Sequence, residues 1–228
     1  MINRSTKIIF ALIFGINVYA GDVTGKVSFT GAAPKMPKLN MNADKSCKGM
    51  HTTRVSSEEV VINKNNTLKN VFIYVKEGAK PTAAPTVPVT LSQKGCQYVP
   101  HILGIQVGQP FIIKNDDPTL HNVHSLGKAN VQFNVAQPIK GMKLNKKFDK
   151  PEVMVKFKCD VHSWMNAYVG VVNNSYFAVS KDDGSFTIKG LPAGSYTLEA
   201  WHEKFGTKQI KITVADKSVT ANFNYAAK

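Results

Sequence analysis

Arginine is almost missing from this sequence. Arg4 and Arg54 are the only two, although basic residues number 29 against 15 acidic ones and leave a net charge of +14. Such a balance makes nucleic acid the first partner to consider. The guanidinium fork that reads phosphate is scarce, and no recognition motif accompanies the lysines, so nucleic acid is set aside. Helical periodicity is also nearly absent. Short runs of Val, Ile, Phe and Tyr recur between Gly, Pro, Asn and Asp instead, which argues for an all-β chain of sandwich or barrel type. No nucleophile–base motif, phosphate loop or pair of carboxylates at a plausible spacing occurs, so the chain does not read as an enzyme. Beyond the first twenty residues no apolar run is long enough to span a membrane.

Those first residues carry a pattern of their own. Arg4 and Lys7 precede an apolar run from Ile8 to Val18, and Val18-Tyr19-Ala20 offers a small-x-small cleavage pattern. A secretory leader cut after Ala20 is expected, with the mature chain periplasmic or secreted.

Strands are expected over Val23–Phe29, Leu68–Val75, Pro110–Lys114, Pro151–Lys158 and Ala167–Val172, with Lys80–Pro88 as a proline-rich loop. In Pro151–Lys158 the apolar Val153, Val155 and Phe157 alternate with Met154, Lys156 and Lys158, as in a half-buried strand. Phe177–Ile188 reads as a hairpin about Asp182-Asp183-Gly184.

The segment Lys158-Cys159-Asp160-Val161-His162-Ser163-Trp164-Met165 is the most informative. It places a thiolate, an imidazole and a thioether on one tight loop. Soft thiolate selects copper or zinc, and a weak thioether added to two histidines and a cysteine marks a blue-copper centre. Zinc has no use for the thioether. A second histidine is available upstream, in Leu120-His121-Asn122-Val123-His124. His121 and His124 are three apart on a strand, so they point to opposite faces, and alternation alone does not choose between them.

Taken with Gln106–Asn115, these motifs resemble the cupredoxins, and the short ligand loop is most similar to that of amicyanin. The resemblance covers roughly residues 100–172. It implies a Greek-key β-sandwich holding one type 1 copper through His121, Cys159, His162 and Met165. It also implies that the Asn122 backbone N–H bonds the thiolate, that Asn115 ties the two ligand loops together, and that the edge of His162 faces solvent as the electron port. Asp160 and Trp164 depart from the amicyanin loop. The activity implied is transport of single electrons between redox proteins. A copper-trafficking protein and a non-redox interaction module are the alternatives. Trp164 and Met142 would add an apolar docking patch, or Trp164 would pack under the loop.

With Cys159 taken as a ligand by the resemblance, Cys47 and Cys96 are expected to pair in an oxidising compartment. Closing so long a loop contributes about 4 kcal/mol on the chain-entropy model. The alternatives leave both reduced, or use them with His51 and His101 as a further metal site. The lysines at 140, 143, 146, 147, 150, 156 and 158 are either a solubilising surface or a positive rim that steers an acidic redox partner.

Downstream, Asp183-Gly184-Ser185-Phe186 and Gly190-Leu191-Pro192-Ala193-Gly194-Ser195-Tyr196 resemble the carboxypeptidase regulatory-like, or prealbumin-like, β-sandwich, a non-catalytic module. The division expected is a leader over 1–20, a copper domain over 21–174 and a small β-domain over 175–228. The last piece is short for an independent core. It either borrows the strand Gly25–Gly31, making the copper domain an insertion, or docks on that domain. His202, after Trp201, reads as a strand-end histidine.

Overall fold

A computed structural model describes residues 20–227. The expected leader, but for Ala20, lies outside them. The strands are β1 (Ala20–Thr30), β2 (Phe72–Glu77), β3 (Val89–Gln93), β4 (Tyr98–Val99), β5 (Ile102–Gln106), β6 (Phe111–Asn115), β7 (His121–Ser125), β8 (Phe133–Gln137) and β9 (Lys143–Lys146). They continue with β10 (Glu152–Lys158), β11 (Asn166–Val172), β12 (Phe177–Val179), β13 (Ser185–Pro192), β14 (Gly194–His202), β15 (Gly206–Val214), β16 (Val219–Thr220) and β17 (Phe223–Ala226). Among the described residues one short helix, α1 (Lys45–Gly49), interrupts them. No described helix is long and apolar enough to cross a membrane.

The strands form two sandwiches. In the first, the five-stranded sheet β5-β11-β10-β7-β8 packs on the four-stranded sheet β4-β3-β6-β9. Leu91, Phe111, Ile113, Val123, Phe157 and Val169 fill the space between them. In the second, β13-β1-β16, joined by β17, packs on β12-β2-β14-β15. Its core holds Val23, Val27, Ile73, Phe186, Ile188 and Leu198.

Alternation places most strands correctly but not their partners. β1 pairs with β13, β16 and β17, and β2 pairs with β12 and β14. The N-terminal strands therefore belong in space with the C-terminal stretch, although the expected boundary at 174 parts them in sequence. The first sandwich is inserted between them, and its ends meet where the Thr82 N–H donates to the Asn173 carbonyl at 3.0 Å. The expected hairpin is also modified. The Asp-Gly turn is present, with the Gly184 N–H donating to the Lys181 carbonyl, but β12 joins β2 while β13 joins β1. In β10 a register shift between Glu152 and Val155 breaks the alternation, so Val153 stays 36% exposed while Val155 and Phe157 are buried.

The two sandwiches meet across a small apolar contact of Phe72, Ile102 and Val172, flanked by Tyr168, Phe177 and Trp201. Gly104 and Gly170, opposite each other on β5 and β11, leave a flat seat there. A Cβ on Gly104 would enter the Phe177 ring, and one on Gly170 the Phe72 ring. Beside the seat, Glu203 accepts from Tyr168 Oη at 3.0 Å and lies 2.7 Å from His101 Nε2.

Between β1 and β2, Val60, Leu68 and Val71 return to the core of the second sandwich, while the stretch from Leu39 to Val55 around α1 forms a flap on the first. Met41 and Cys47 insert into its core, and the Cys47–Cys96 disulfide fastens the flap down.

Candidate metal centre

His121 opens β7, whose backbone is fixed by β8 on one side and β10 on the other. Cys159 immediately follows β10, and the loop after it returns as β11. That turn closes on itself: the Cys159 N–H donates to the Met165 carbonyl at 3.1 Å, and the Met165 N–H to the His162 carbonyl at 2.9 Å. The sheet thus supplies one histidine, and a self-braced loop supplies the other donors. All are buried, with relative exposures of 0% for His121, 2% for Cys159 and His162, and 1% for Met165.

The structure brings His121, Cys159 and His162 together, with donor atoms within 4.8 Å of one another. The two Nδ1 atoms stand 3.0 Å apart, and Cys159 Sγ lies 3.7 Å from His162 Nδ1. Around one tetrahedral ion with bonds of about 2.0 Å to nitrogen and about 2.3 Å to sulfur, such donors stand about 3.3 Å (N to N) and about 3.5 Å (N to S) apart. A small shift of the rings accommodates the ion. Two imidazole Nδ1 atoms and a sulfur face one another in a buried pocket, an arrangement that a shared cation would suit. The donor set therefore fits copper, with Met165 buried in the same cluster as Cys159.

The far nitrogens of both histidines meet carboxylates. His121 Nε2 is 3.0 Å from Asp117, and His162 Nε2 is 3.1 Å from Asp44. With Nδ1 turned to the ion, Nε2–H donates and the tautomer is fixed. Burial pushes the Asp117 carboxyl up, but the His121 bond and the Cys96 and Gly95 N–H groups outweigh it and hold it below the usual value. Asp44 is lowered chiefly by the Cys47 N–H. Burial raises the Cys159 thiol, yet its bonds to His121 and to backbone N–H groups bring it below its ordinary value, toward the thiolate a metal needs. Desolvation depresses His162 and also opposes protonation of His121, but Asp117 and Cys159 leave His121 raised overall.

The two asparagines have separate tasks. The Asn122 N–H donates to Cys159 Sγ at 3.5 Å, and its side-chain oxygen accepts from the Asp160 and Val161 N–H groups. Asn122 is therefore the tie between the ligand loops. Asn115 instead braces the first loop upon itself: its amide donates to the Thr119 and Gln137 carbonyls, and its oxygen accepts the Asp117 N–H. Position in a motif does not say which asparagine faces the second loop.

His162 departs most from expectation. Its edge is closed off from solvent by Asp44 and by Cys47 Sγ at 3.5 Å, both from the flap. Trp164 packs on His162 with ring centroids 5.0 Å apart and donates Nε1–H to the Cys96 carbonyl. Met142 and Val161 remain at the surface. His124 turns away from the centre toward Asp160. His51 bonds the Gly95 carbonyl and His101 bonds Glu203, so with Cys47 and Cys96 joined in a disulfide these four form no further metal site. Asp44 and Asp117 escape sequence reading. Asp117 is four residues before His121, a faint signal, whereas Asp44 reaches His162 only through the fold.

A family model matches residues 158–227: the β-sandwich domain of ER membrane protein complex subunit 7. The match begins at the end of β10, so it spans the loop from Cys159 to Met165 and β11 as well as the C-terminal strands, and it names a β-sandwich other than the carboxypeptidase regulatory-like module expected there. A search of curated proteins finds no match. Among solved structures, a copper-containing nitrite reductase from Thermus scotoductus SA-01 aligns at 24% identity, over 43% of this chain and 25% of that one, with a TM-score of 0.36. This chain thus spans a quarter of that enzyme's length. A purple cupredoxin from Nitrosopumilus maritimus aligns at 24% identity over 36% of this chain and 97% of that one, with a TM-score of 0.31. An amicyanin variant in its Cu(I) form aligns at 19% identity over 43% and 97%, with a TM-score of 0.33. Likeness at this level adds no weight to the geometry.

Proposed function

We propose that the protein is an exported, non-catalytic copper protein that carries single electrons between redox partners, with the ion held by His121, Cys159, His162 and Met165. One observation carries the reading: a buried cysteine with a lowered pKa, faced by two imidazole Nδ1 atoms and backed by the Asn122 N–H. Copper, when bound, supplies one-electron exchange between Cu(I) and Cu(II). The protein's residues supply a buried enclosure for it. A thioether in the same buried cluster as the thiolate suits copper better than zinc. The Cys47–Cys96 disulfide agrees with an oxidising compartment such as the periplasm. The exposed lysines between 140 and 156 favour an acidic partner, whose encounter they would steer.

The test is a visible spectrum of residues 21–228 after adding Cu(II). An intense thiolate-to-copper band that bleaches on reduction, and reversible voltammetry, are expected. A colourless protein would end the electron-transfer reading and leave metal trafficking or a structural role.

The family match favours a second role for the C-terminal sandwich, as an interaction module that attaches the copper unit to a membrane-associated partner. Co-purification with membranes that persists in Cys159→Ser would support it. Loss of that association when copper binding is lost would count against it.

A further inference from the structure

The Cys47–Cys96 bridge lies against the metal centre. Each of its ends carries one of the two carboxylates that hold a ligand histidine. At the first end, Asp44 accepts the Cys47 N–H at 2.9 Å through one oxygen and meets His162 Nε2 at 3.1 Å through the other. At the second end, the Gly95 and Cys96 N–H groups each donate to Asp117 at 2.7 Å, and Asp117 meets His121 Nε2 at 3.0 Å. Thr119 Oγ1, beside His121, closes the circle by donating to Asp44 at 3.2 Å. The Cys96 carbonyl also holds the indole that packs on His162.

We propose that this disulfide is a working part of the metal centre: it positions both outer carboxylates at once, so its thiol–disulfide state sets how tightly the metal is held and at what potential it cycles.

The physical chain is short. A histidine ligating through Nδ1 keeps its proton on Nε2, and a carboxylate there fixes ring and tautomer and raises ligand basicity. A negative group near the ion also favours its higher charge, so loosening the carboxylates raises the reduction potential and weakens divalent binding. Asp44 sits on a flap held to the sandwich at that point by the bridge, and the flap's own ladder bonds, such as Leu39 to Val55, do not reach the centre. Cutting the S–S bond takes two electrons and two protons from a dithiol reductant, which becomes a disulfide while Cys47 and Cys96 become thiols. Both carboxylates then lose their brace together.

The inference rests on the copper reading but is tested with zinc as well, which needs no redox cycle. The measurements are Zn(II) affinity by chelator competition and the potential of the copper-loaded chain. They are made on the full mature protein, on Asp44→Asn, on Asp117→Asn, on Cys47→Ser/Cys96→Ser, and on the combined variant. Each asparagine variant is expected to bind Zn(II) about 10–100-fold more weakly, with the potential shifted upward. Removal of the bridge is expected to do the same in the parent and to add little once both carboxylates are gone. A bridge that merely stabilises the fold gives another result: unchanged affinity and potential in the parent, or losses that multiply fully in the combined variant. Either result overturns the inference. Should the double serine variant fold poorly, reduction of the folded parent with a phosphine must lower the Zn(II) affinity and raise the potential, and reoxidation must reverse both. A parent that takes up zinc but shows no copper band defeats the electron-transfer reading alone. A copper band with affinity and potential indifferent to the bridge defeats this inference alone.

Discussion

At the scale of single residues, the proposed donors could be picked out because three of them share one continuous loop, and the fold brings His121, Cys159 and His162 together. Cys159, His162 and Met165 declare their chemistry in sequence order, and His121 is named by the asparagine after it. The residues that hold these ligands were not legible. Asp44 reaches His162 only once the flap has folded over the sandwich. That Asn122 makes the tie expected of Asn115, while keeping its own bond to the Cys159 sulfur, is a matter of which loop each side chain faces, and spacing does not encode that. Asn122→Ala leaves the Asp160 and Val161 N–H groups without their acceptor in a half-buried loop. Each lost bond contributes about 0.5–1.5 kcal/mol, so the two together contribute about 1–3 kcal/mol. Chemical denaturation of the metal-free protein should show a loss in that range. The thiolate–copper band should shift rather than vanish, because the backbone N–H that meets Cys159 is retained.

His202 gives a pH dependence at the same scale. Desolvation lowers its pKa to about 4, and its Nδ1 accepts the Lys204 and Phe205 N–H groups, which requires the neutral ring. Unfolded, the ring titrates near its ordinary value of about 6.5. Between those values the unfolded chain binds more protons than the folded one, so stability rises with pH. The contribution is complete above about pH 6.5 and is lost as pH falls toward 4, for about 3 kcal/mol in all. His202→Gln removes the titration. Unfolding free energies at several pH values should show a shallower acid loss in that variant, and parallel curves would refute the assignment.

At the scale of elements, a period of two in hydrophobicity located most strands, because one face of each is buried. It could not say which strands share a sheet, since an alternating strand can pair with many others. β1 and β2 illustrate this: each reads as an ordinary early strand, yet both are completed by residues more than a hundred positions downstream. Nor did periodicity mark Gly104 and Gly170, whose meaning lies in the rings of Phe177 and Phe72 from the other sandwich. Gly170→Ala should push the Phe72 ring out of its seat. Overpacking of this kind costs about 1–3 kcal/mol. The urea midpoint should drop accordingly, while the copper band, set by the distant end of β11, stays as in the parent. A variant of unchanged midpoint would mean the seat is looser than the distances imply.

For the whole molecule, chain order and spatial order disagree, and the disagreement can be tested by cutting. A fragment of residues 175–228 contains the motifs of the small sandwich but lacks β1, which pairs with three of its strands, and β2, which separates β12 from β14. Val23, Val27, Ile73 and Val75 would be missing from its core. With too little apolar surface left to offset chain entropy, the fragment should stay unfolded, with narrow amide dispersion in NMR. The complementary deletion should behave differently. The insertion leaves and returns at one point, where Thr82 meets Asn173. Replacing residues 84–171 by a short Gly-Ser linker therefore closes a loop at small entropic cost and keeps the strands of both sheets. That chain exposes Phe72 and Phe177, so Phe72→Ser and Phe177→Ser should accompany the deletion to protect solubility. Well-dispersed amide resonances and a cooperative melt are expected. A folded 175–228 fragment would show that the C-terminal strands need no N-terminal partner, and a deletion chain that fails to fold would show that the small sandwich depends on the first sandwich for more than its connection.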